Sequence, residues 1–402
     1  MSPAVVVVML TLLLGIQPIS TDLYLPALPT LQRELGATVS GAQLTLSTLI
    51  VCFGLGQLVW GPLSDRFGRR PVLLWGLATY TVASVLAAAS ASIESLVVWR
   101  ALQGLAMAAA VTCGRSIVRD LFAPHHGARV MSRSLGGLGL IAMLSPLLGG
   151  LLVQAFSWHV VLAMPALFGV ATLGFVACKF DETLAQRNPA ATQPRALWSN
   201  WLAVARHPTF RAWVALLSCS YGGLFLYLAA SSFVYINILG LSRAVYGLVM
   251  GISSLAYIVG TVICRRLLVA RGLRRTVRIG GVFSLVGGLA SVALSLAGWH
   301  TVWAVLLPQL VYAVGHGIHQ PCGQAGSIGP FPEKAGAAAA LSGFVMMAVS
   351  FGIGLWLGRG LNGTVYPLTL GLGFFGSAVA LVAWTLVQRD GEPQAAPAAS
   401  AS

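Results

Sequence analysis

The segment Asp65-Arg66-Phe67-Gly68-Arg69-Arg70-Pro71-Val72 has a degenerate echo 205 residues later, Ala270-Arg271-Gly272-Leu273-Arg274-Arg275-Thr276-Val277. Each copy is a short basic interruption between two long apolar runs, and the offset is about half of the 402-residue chain. The second copy has lost the aspartate and the glycine aligned with Gly68, yet it keeps the paired arginines and the final valine. The spacing predicts a duplicated unit.

Outward from the two copies, apolar runs predict twelve spans near 5–27, 41–63, 71–91, 94–115, 131–154, 159–179, 209–236, 243–264, 277–298, 301–323, 336–358 and 363–387. A membrane-crossing helix needs about 20 mostly apolar residues, and each run approaches or exceeds that. The composition agrees: 57% of residues are hydrophobic and 8% charged, against about 25% charged in soluble domains. The 46 glycines suit membrane helices, where small residues let backbones approach closely. The opening run from Val5 lacks a basic leader and reaches full span length, so it reads as the first helix and not as a cleavable signal. The expected fold is an all-α membrane protein of twelve transmembrane helices, forming two pseudo-symmetric six-helix halves around a central cavity. The expected division is 1–179 for the first half, 180–208 for a cytoplasmic linker, 209–388 for the second half and 389–402 for a disordered cytoplasmic tail.

The net charge of +14 would suggest nucleic acid in a soluble protein. Placed on the spans, however, 20 of the 24 basic residues fall on one side, with only Arg33, Arg243 and Arg359 on the other and Arg100 inside a span. Basic residues are retained on the cytoplasmic side, so both termini are expected there and no nucleic-acid partner is needed. The six cysteines are scattered singly, without metal-ligand or disulfide spacing, and read as small buried hydrophobes. No metal or cofactor is expected, and no GxxxxGK[ST] phosphate loop is present.

Several stretches resemble a known family. Gly61-Pro62-Leu63-Ser64-Asp65-Arg66-Phe67-Gly68-Arg69-Arg70-Pro71 resembles the loop signature between spans two and three of the major facilitator superfamily. Arg100-Ala101-Leu102-Gln103-Gly104 resembles its span-four signature, and Ser145-Pro146-Leu147-Leu148-Gly149-Gly150 its antiporter signature, with Ser145 where the general pattern has glycine. Ser20-Thr21-Asp22-Leu23-Tyr24-Leu25-Pro26-Ala27-Leu28-Pro29, Gly114-Arg115 with Arg119-Asp120, and Glu182-Thr183-Leu184 look like the bicyclomycin-resistance (Bcr/CflA) drug:proton antiporters. The resemblance implies a bacterial inner-membrane exporter that exchanges a small molecule for protons, without ATP. It also implies that Gly61, Asp65, Arg66, Gly68, Arg69 and Arg70 form a latch on the cytoplasmic side, with Asp65 facing the start of span eleven. The arginines of that loop can also pair with lipid phosphate.

Of ten acidic residues, Asp22 alone lies within a span. A carboxylate at membrane depth is costly and normally faces a cavity or a partner; a low-dielectric setting favours its neutral form, which lets it load and release a proton. Arg100 is expected at nearly the same depth, so the two are candidates for proton coupling. Gln103 and Met107 share a helix face with Arg100 and join the expected substrate cavity with Tyr24, Tyr221 and Phe225. Gln309, Tyr312, His316, His319 and Gln320 form a polar stripe on span ten that must face protein or water. Their expected role is cavity lining, with His316 or His319 a candidate second protonation site. Pro146, Gly149 and Gly150 are expected to act as a hinge in span five. Trp158, Trp299 and Trp303 are expected as interface anchors.

The function expected from all this is proton-coupled export of small amphipathic drug-like molecules by a carrier expected to act as a monomer, with export of an amino-acid or sugar derivative as the alternative. A membrane enzyme would need a nucleophile or metal constellation; His125-His126 is the only compact candidate, and Asp120 precedes the pair. The substrate, the proton stoichiometry and the oligomeric state are not encoded in any motif.

Overall fold

The computed structural model describes residues 2–122, 124–184 and 186–391, and every regular element in them is helical. The first half comprises α1 (Pro3–Thr21) and its continuation α2 (Leu28–Glu34), then α3 (Val39–Phe67), α4 (Arg69–Ala88), α5 (Ile93–Leu121), α6 (Pro124–Ala155) and α7 (Trp158–Lys179). The linker carries α8 (Pro194–Arg206). The second half comprises α9 (Pro208–Ser232), α10 (Arg243–Leu296), α11 (Val302–Ile328), α12 (Ala335–Gly360) and α13 (Tyr366–Trp384), followed by the short α14 (Leu386–Asp390).

Eleven stretches among the described residues are long and apolar enough to cross a membrane. The twelfth span is present within α10, whose 54 residues are broken at Gly272 (φ 72°, ψ 175°). Spans eight and nine are therefore the two arms of α10, and the turn sits inside the second copy of the repeat. Helix starts follow from the sequence: Thr38, Ser92, Ser242 and Thr301 each accept a hydrogen bond from the backbone three residues on, satisfying donors that the first turn leaves open.

Two expectations change. Span one does not run unbroken to residue 27: α1 ends at Thr21 and the chain continues through a 3-10 turn (Leu25–Ala27) into α2. Pro26 and Pro29 lack the N–H that would carry the helix on. The linker also carries regular structure, with α8 occupying 13 of its residues. Trp158 is not an interface anchor: it is buried, and its Nε1 donates to Glu34 at 2.8 Å. Trp299 and Trp303 are exposed, as an anchor requires. Residues 392–402, most of the expected tail, lie outside the described residues, as does the side chain of His125.

The two halves meet along α3 against α12 and along α6 against the first arm of α10. Glycines make this possible: Gly54 packs on Met347, Gly354 on Ser47, and Gly247 on the backbone of Pro146 and Leu147, so helix axes approach closely. Hydrogen bonds that cross between the halves include Gln43 Nε2 to Ala229 O (2.7 Å) and Ala244 N to Gln154 Oε1 (3.2 Å). Both lie toward the end opposite the basic loops.

Candidate functional site

The break in the first span fixes where its polar groups point. The N–H of Asp22 still donates to Pro18 O (2.8 Å), closing the last turn of α1. Asp22 is half-buried and accepts from Thr21 Oγ1 at 2.8 Å. No ion pair to Asp22 exists among the described residues. It lies within electrostatic reach of Tyr221 and Tyr246 of the second half, and Gln17 lies beside Tyr221. Gln17, Asp22 and Tyr221 are all half-buried. The carboxylate thus lies near the junction between the halves, with two tyrosines of the second half within its electrostatic reach.

Arg100 does not join it. Ser20 and Tyr24 lie on the other side of the chain from Asp22, and Arg100 packs there. It is fully buried; Nη1 donates to Ser20 O (3.1 Å) and Gln103 Oε1 (2.8 Å), and the guanidinium sits 4.0 Å over the Tyr24 ring. Gln103 Nε2 continues to Ser84 Oγ (2.7 Å), Ser20 Oγ meets Tyr80 OH (2.7 Å), and Tyr24 OH meets Thr45 Oγ1 (2.7 Å). This network ties α1, α3, α4 and α5 together inside the first half. Arg100 Nε and Nη2 have no hydrogen-bond partner, so cation–π contact and one bonded nitrogen hold a buried charge. Arg100, Gln103 and Tyr24, along with the buried Met107, are therefore placed in the interior of one half, away from the Asp22 junction.

The polar stripe on α11 also divides. His316 Nδ1 meets Ser220 Oγ at 2.9 Å, and its ring lies 5.5 Å from Tyr257 and 6.3 Å from Tyr221. That places His316 beside the Asp22–Tyr221 junction. Tyr312 OH donates to Ser220 O (3.0 Å), tying α11 to α9. His319 turns instead to the second arm of α10, with Nε2 3.2 Å from Val277 O and its ring against Gly280. Gln309 is buried, Gln320 half-buried, and Phe225 buried between α9 and α12. The structure thus sets Tyr221 between Asp22 on one side and His316 on the other, with Gln17 and Tyr246 near the first and Ser220 and Tyr257 near the second. Of these, Gln17 was visible as a polar residue in an apolar run and Tyr257 as a candidate pocket aromatic, whereas Tyr246 gave no signal.

The hinge residues sit next to this junction. Gly149 packs on the Leu23 carbonyl, beside Asp22, and Gly150 on the Arg243 carbonyl across the halves. A Cβ at either position would collide with backbone, so the proline-containing turn of α6 is pressed between the break in span one and the start of α10.

At the basic end, motifs from three loops converge on Arg69. Its Nη1 pairs with Asp65 Oδ1 (2.6 Å) and its Nε with Asp120 Oδ2 (3.0 Å), while the side chain is almost fully buried. Glu182 accepts from the backbone N–H of Arg69 (2.9 Å), Arg70 (3.2 Å), Thr183 (3.0 Å) and Leu184 (3.0 Å). Burial alone would raise this carboxyl; the N–H donors of Leu184, Arg69, Arg70 and Thr183 outweigh it and hold it below the usual carboxylate range. Arg70 caps α7 through Phe180 O (2.7 Å) and Ala177 O (3.1 Å). Gly68 has φ 108°, and a Cβ there would strike the Glu182 carboxylate. Gly61, two turns earlier in α3, lies against Thr112 of α5. Arg66 reaches Thr192 Oγ1 at 2.6 Å. Among the described residues no hydrogen bond joins Asp65 to the start of α12. Asp120 and Glu182 were visible only as family markers; their union with Arg69 needed the fold.

The cysteines are all free thiols. Cys264 and Cys322 approach to 3.5 Å between Sγ atoms, and Cys178 is exposed.

Comparison with known proteins agrees with this architecture. The model of the Major Facilitator Superfamily matches residues 10–357. An uncharacterized MFS-type transporter of Bacillus subtilis, YdgK, is 30% identical over 251 residues, and the match spans 62% of each chain. A bicyclomycin resistance protein homolog of Haemophilus influenzae is 24% identical over 372 residues, covering 92% of this chain and 93% of that protein. Among solved structures, the human organic anion transporter MFSD10 superposes with a TM-score of 0.72 at 21% identity, covering 96% of this chain and 100% of that one.

Proposed function

This chain belongs to the Major Facilitator Superfamily, and from that premise we propose that it exports small amphipathic drug-like molecules in exchange for protons. It is a multi-pass membrane transporter and not an enzyme. We place it in a bacterial inner membrane with both termini in the cytoplasm, because 20 of its 24 basic residues fall on one side of the spans. The relative named for bicyclomycin resistance supports a drug-like substrate; export of a metabolite by the same fold is the second reading.

The observation that carries the proton role is Asp22. It is a half-buried carboxylate at membrane depth, without an ion-pair partner among the described residues and within electrostatic reach of two tyrosines of the second half. An unpaired charge in such a place is costly, so protonation and deprotonation change the stability of whichever arrangement buries it. In our reading Asp22 is protonated from the outer side and releases its proton to the cytoplasm as the carrier cycles. Substrate competes for the junction lined by Tyr221, Tyr257 and His316. The attraction of Asp22 to Arg100 plays no part in this scheme; Arg100 braces the first half. Cross-half hydrogen bonds toward the end opposite the basic loops support an arrangement sealed on the outside. The Asp65 loop is then a latch that engages α12 only when the carrier turns outward.

The test is substrate-driven proton movement in proteoliposomes across a panel of antibiotics and metabolites, with wild type and Asp22→Asn. A compound that moves protons with wild type alone is the expected result. Transport coupled equally well in Asp22→Asn would remove Asp22 from the mechanism.

A further inference from the structure

The linker helix α8 has two unlike faces. At 100° per residue, Leu197, Trp201 and Val204 fall on one side, and Val204 packs with Phe210 and Val214 of α9 and Ala338 of α12. Arg195, Trp198, Ser199, Leu202 and Arg206 fall within about 100° of arc on the other side. That face is open: Trp198 is 67% and Leu202 37% exposed, and Ser199 and both arginines are exposed too. The order along it is cation, aromatic, aliphatic, cation, and α8 contains no acidic residue.

We propose that this face of α8 lies on an anionic phospholipid surface, with Trp198 and Leu202 seated among the acyl chains and Arg195 and Arg206 on the headgroup phosphates. Position and charge together select this occupant. The apolar span α9 begins at Pro208, two residues after α8 ends, so at about 3.8 Å per residue α8 cannot sit far from the membrane edge. An in-plane amphipathic helix with Trp and Leu on its buried side and arginines reaching phosphate is stable at that level. Tryptophan favours the same level because its ring is apolar and its N–H polar. The lipid contact does not depend on what the carrier exports.

Its consequence is mechanical. Just before α8, Asn188 N donates to Asp65 O (2.9 Å) and Thr192 Oγ1 accepts from Arg66 Nη1 (2.6 Å). The linker is thus tied to the basic loop of the first half, while α8 rests on α12 of the second. A lipid-seated α8 holds both halves to one leaflet at the end where they must separate and rejoin.

The experiment uses the full-length chain, with native cysteines replaced and a spin label on Ser199→Cys, in nanodiscs of phosphatidylcholine alone or mixed with phosphatidylglycerol. Collision of the label with oxygen and with a soluble nickel chelate reports its depth. With phosphatidylglycerol the label should become shielded from the chelate and open to oxygen. Arg195→Gln and Arg206→Gln should each reduce the ratio of seated to released helix about fivefold, and added salt should do likewise. Both variants must elute as wild type, and the neutral discs supply the unseated reference for each. Equal chelate access in both lipids means that the face lies in water and overturns the proposal. Shielding that follows the number of protein copies per disc, and not lipid charge, means that a second copy covers the face and also overturns it. Shielding that survives loss of both arginines refutes the anionic assignment.

Discussion

The two copies of the basic loop have come to differ in chemistry more than in shape. Both turn the chain between adjacent spans on a glycine with positive φ, Gly68 at 108° and Gly272 at 72°. The second glycine lies one residue before the position aligned with Gly68, so the turn was kept while its register slipped. Around Gly68, three acidic side chains from different loops close on one buried arginine. Around Gly272 a Cβ would meet nothing within 4 Å, and the local bond is Thr276 Oγ1 to Gly272 O at 2.7 Å. Positive-inside topology needs only arginines and a turn, which both copies have. Convergent acids go beyond that need, and they mark the first copy as the one that positions neighbouring segments.

The widest separation between the copies is expected from removing one arginine in each. Arg69→Ala leaves Asp65 and Asp120 facing each other without their cation. Breaking a mostly buried pair in this way costs about 3–5 kcal/mol, discounted here because Asp65 is itself partly exposed. Arg275 is exposed, and Arg275→Ala should stay within about 0.5 kcal/mol. Thermal unfolding of the two variants in the same detergent measures the gap, and equal midpoints would mean that the network carries no stability.

A smaller contrast comes from the glycines. Gly272→Ala incurs only the cost of a positive-φ, extended backbone that is nearly glycine-only, roughly 1–3 kcal/mol. Gly68→Ala adds a collision with the Glu182 carboxylate, so it should be the worse of the two and should expose the linker after α7 to proteolysis. If Gly68→Ala is as mild as Gly272→Ala, the carboxylate can move aside and the loop is less rigid than its hydrogen bonds suggest.

How far these differences could be read beforehand depends on the range of the interaction. Spans, the linker and the two-half division follow from hydrophobic run length and charge placement, which are local properties. The loss of Asp65 and of the aligned glycine in the second copy was visible, but the compensating role of Gly272 was not, because a one-residue slip needs the backbone. Asp22 stood out since it is the one acid within a span. Its separation from Arg100 did not, because equal depth says nothing about which side of a broken helix a residue faces. Pro26 and Pro29 signalled the break without giving the rotation it imposes. The α11 stripe was a correct helical face, yet His316 and His319 meet different neighbours, and only packing decides that.

The least disruptive way to sharpen the comparison is through pH. Glu182 is held below the usual carboxylate range by four backbone donors, so it binds a proton less readily folded than unfolded. Its contribution is present above the unfolded value and is lost as pH falls through the lower, folded one. Glu182 is largely exposed, which weakens the effect through solvent screening. Wild type should therefore lose unfolding midpoint as pH drops from about 6 to about 3, part of it through this group. Glu182→Gln, which cannot be charged, should start lower at neutral pH and fall less steeply, the two curves converging in acid. The Gly272 turn has no acid among residues 270–277, so Arg275→Ala should shift the curve without changing its slope. Parallel curves for wild type and Glu182→Gln would mean that the backbone donors, and not the charge they hold, make the first copy rigid.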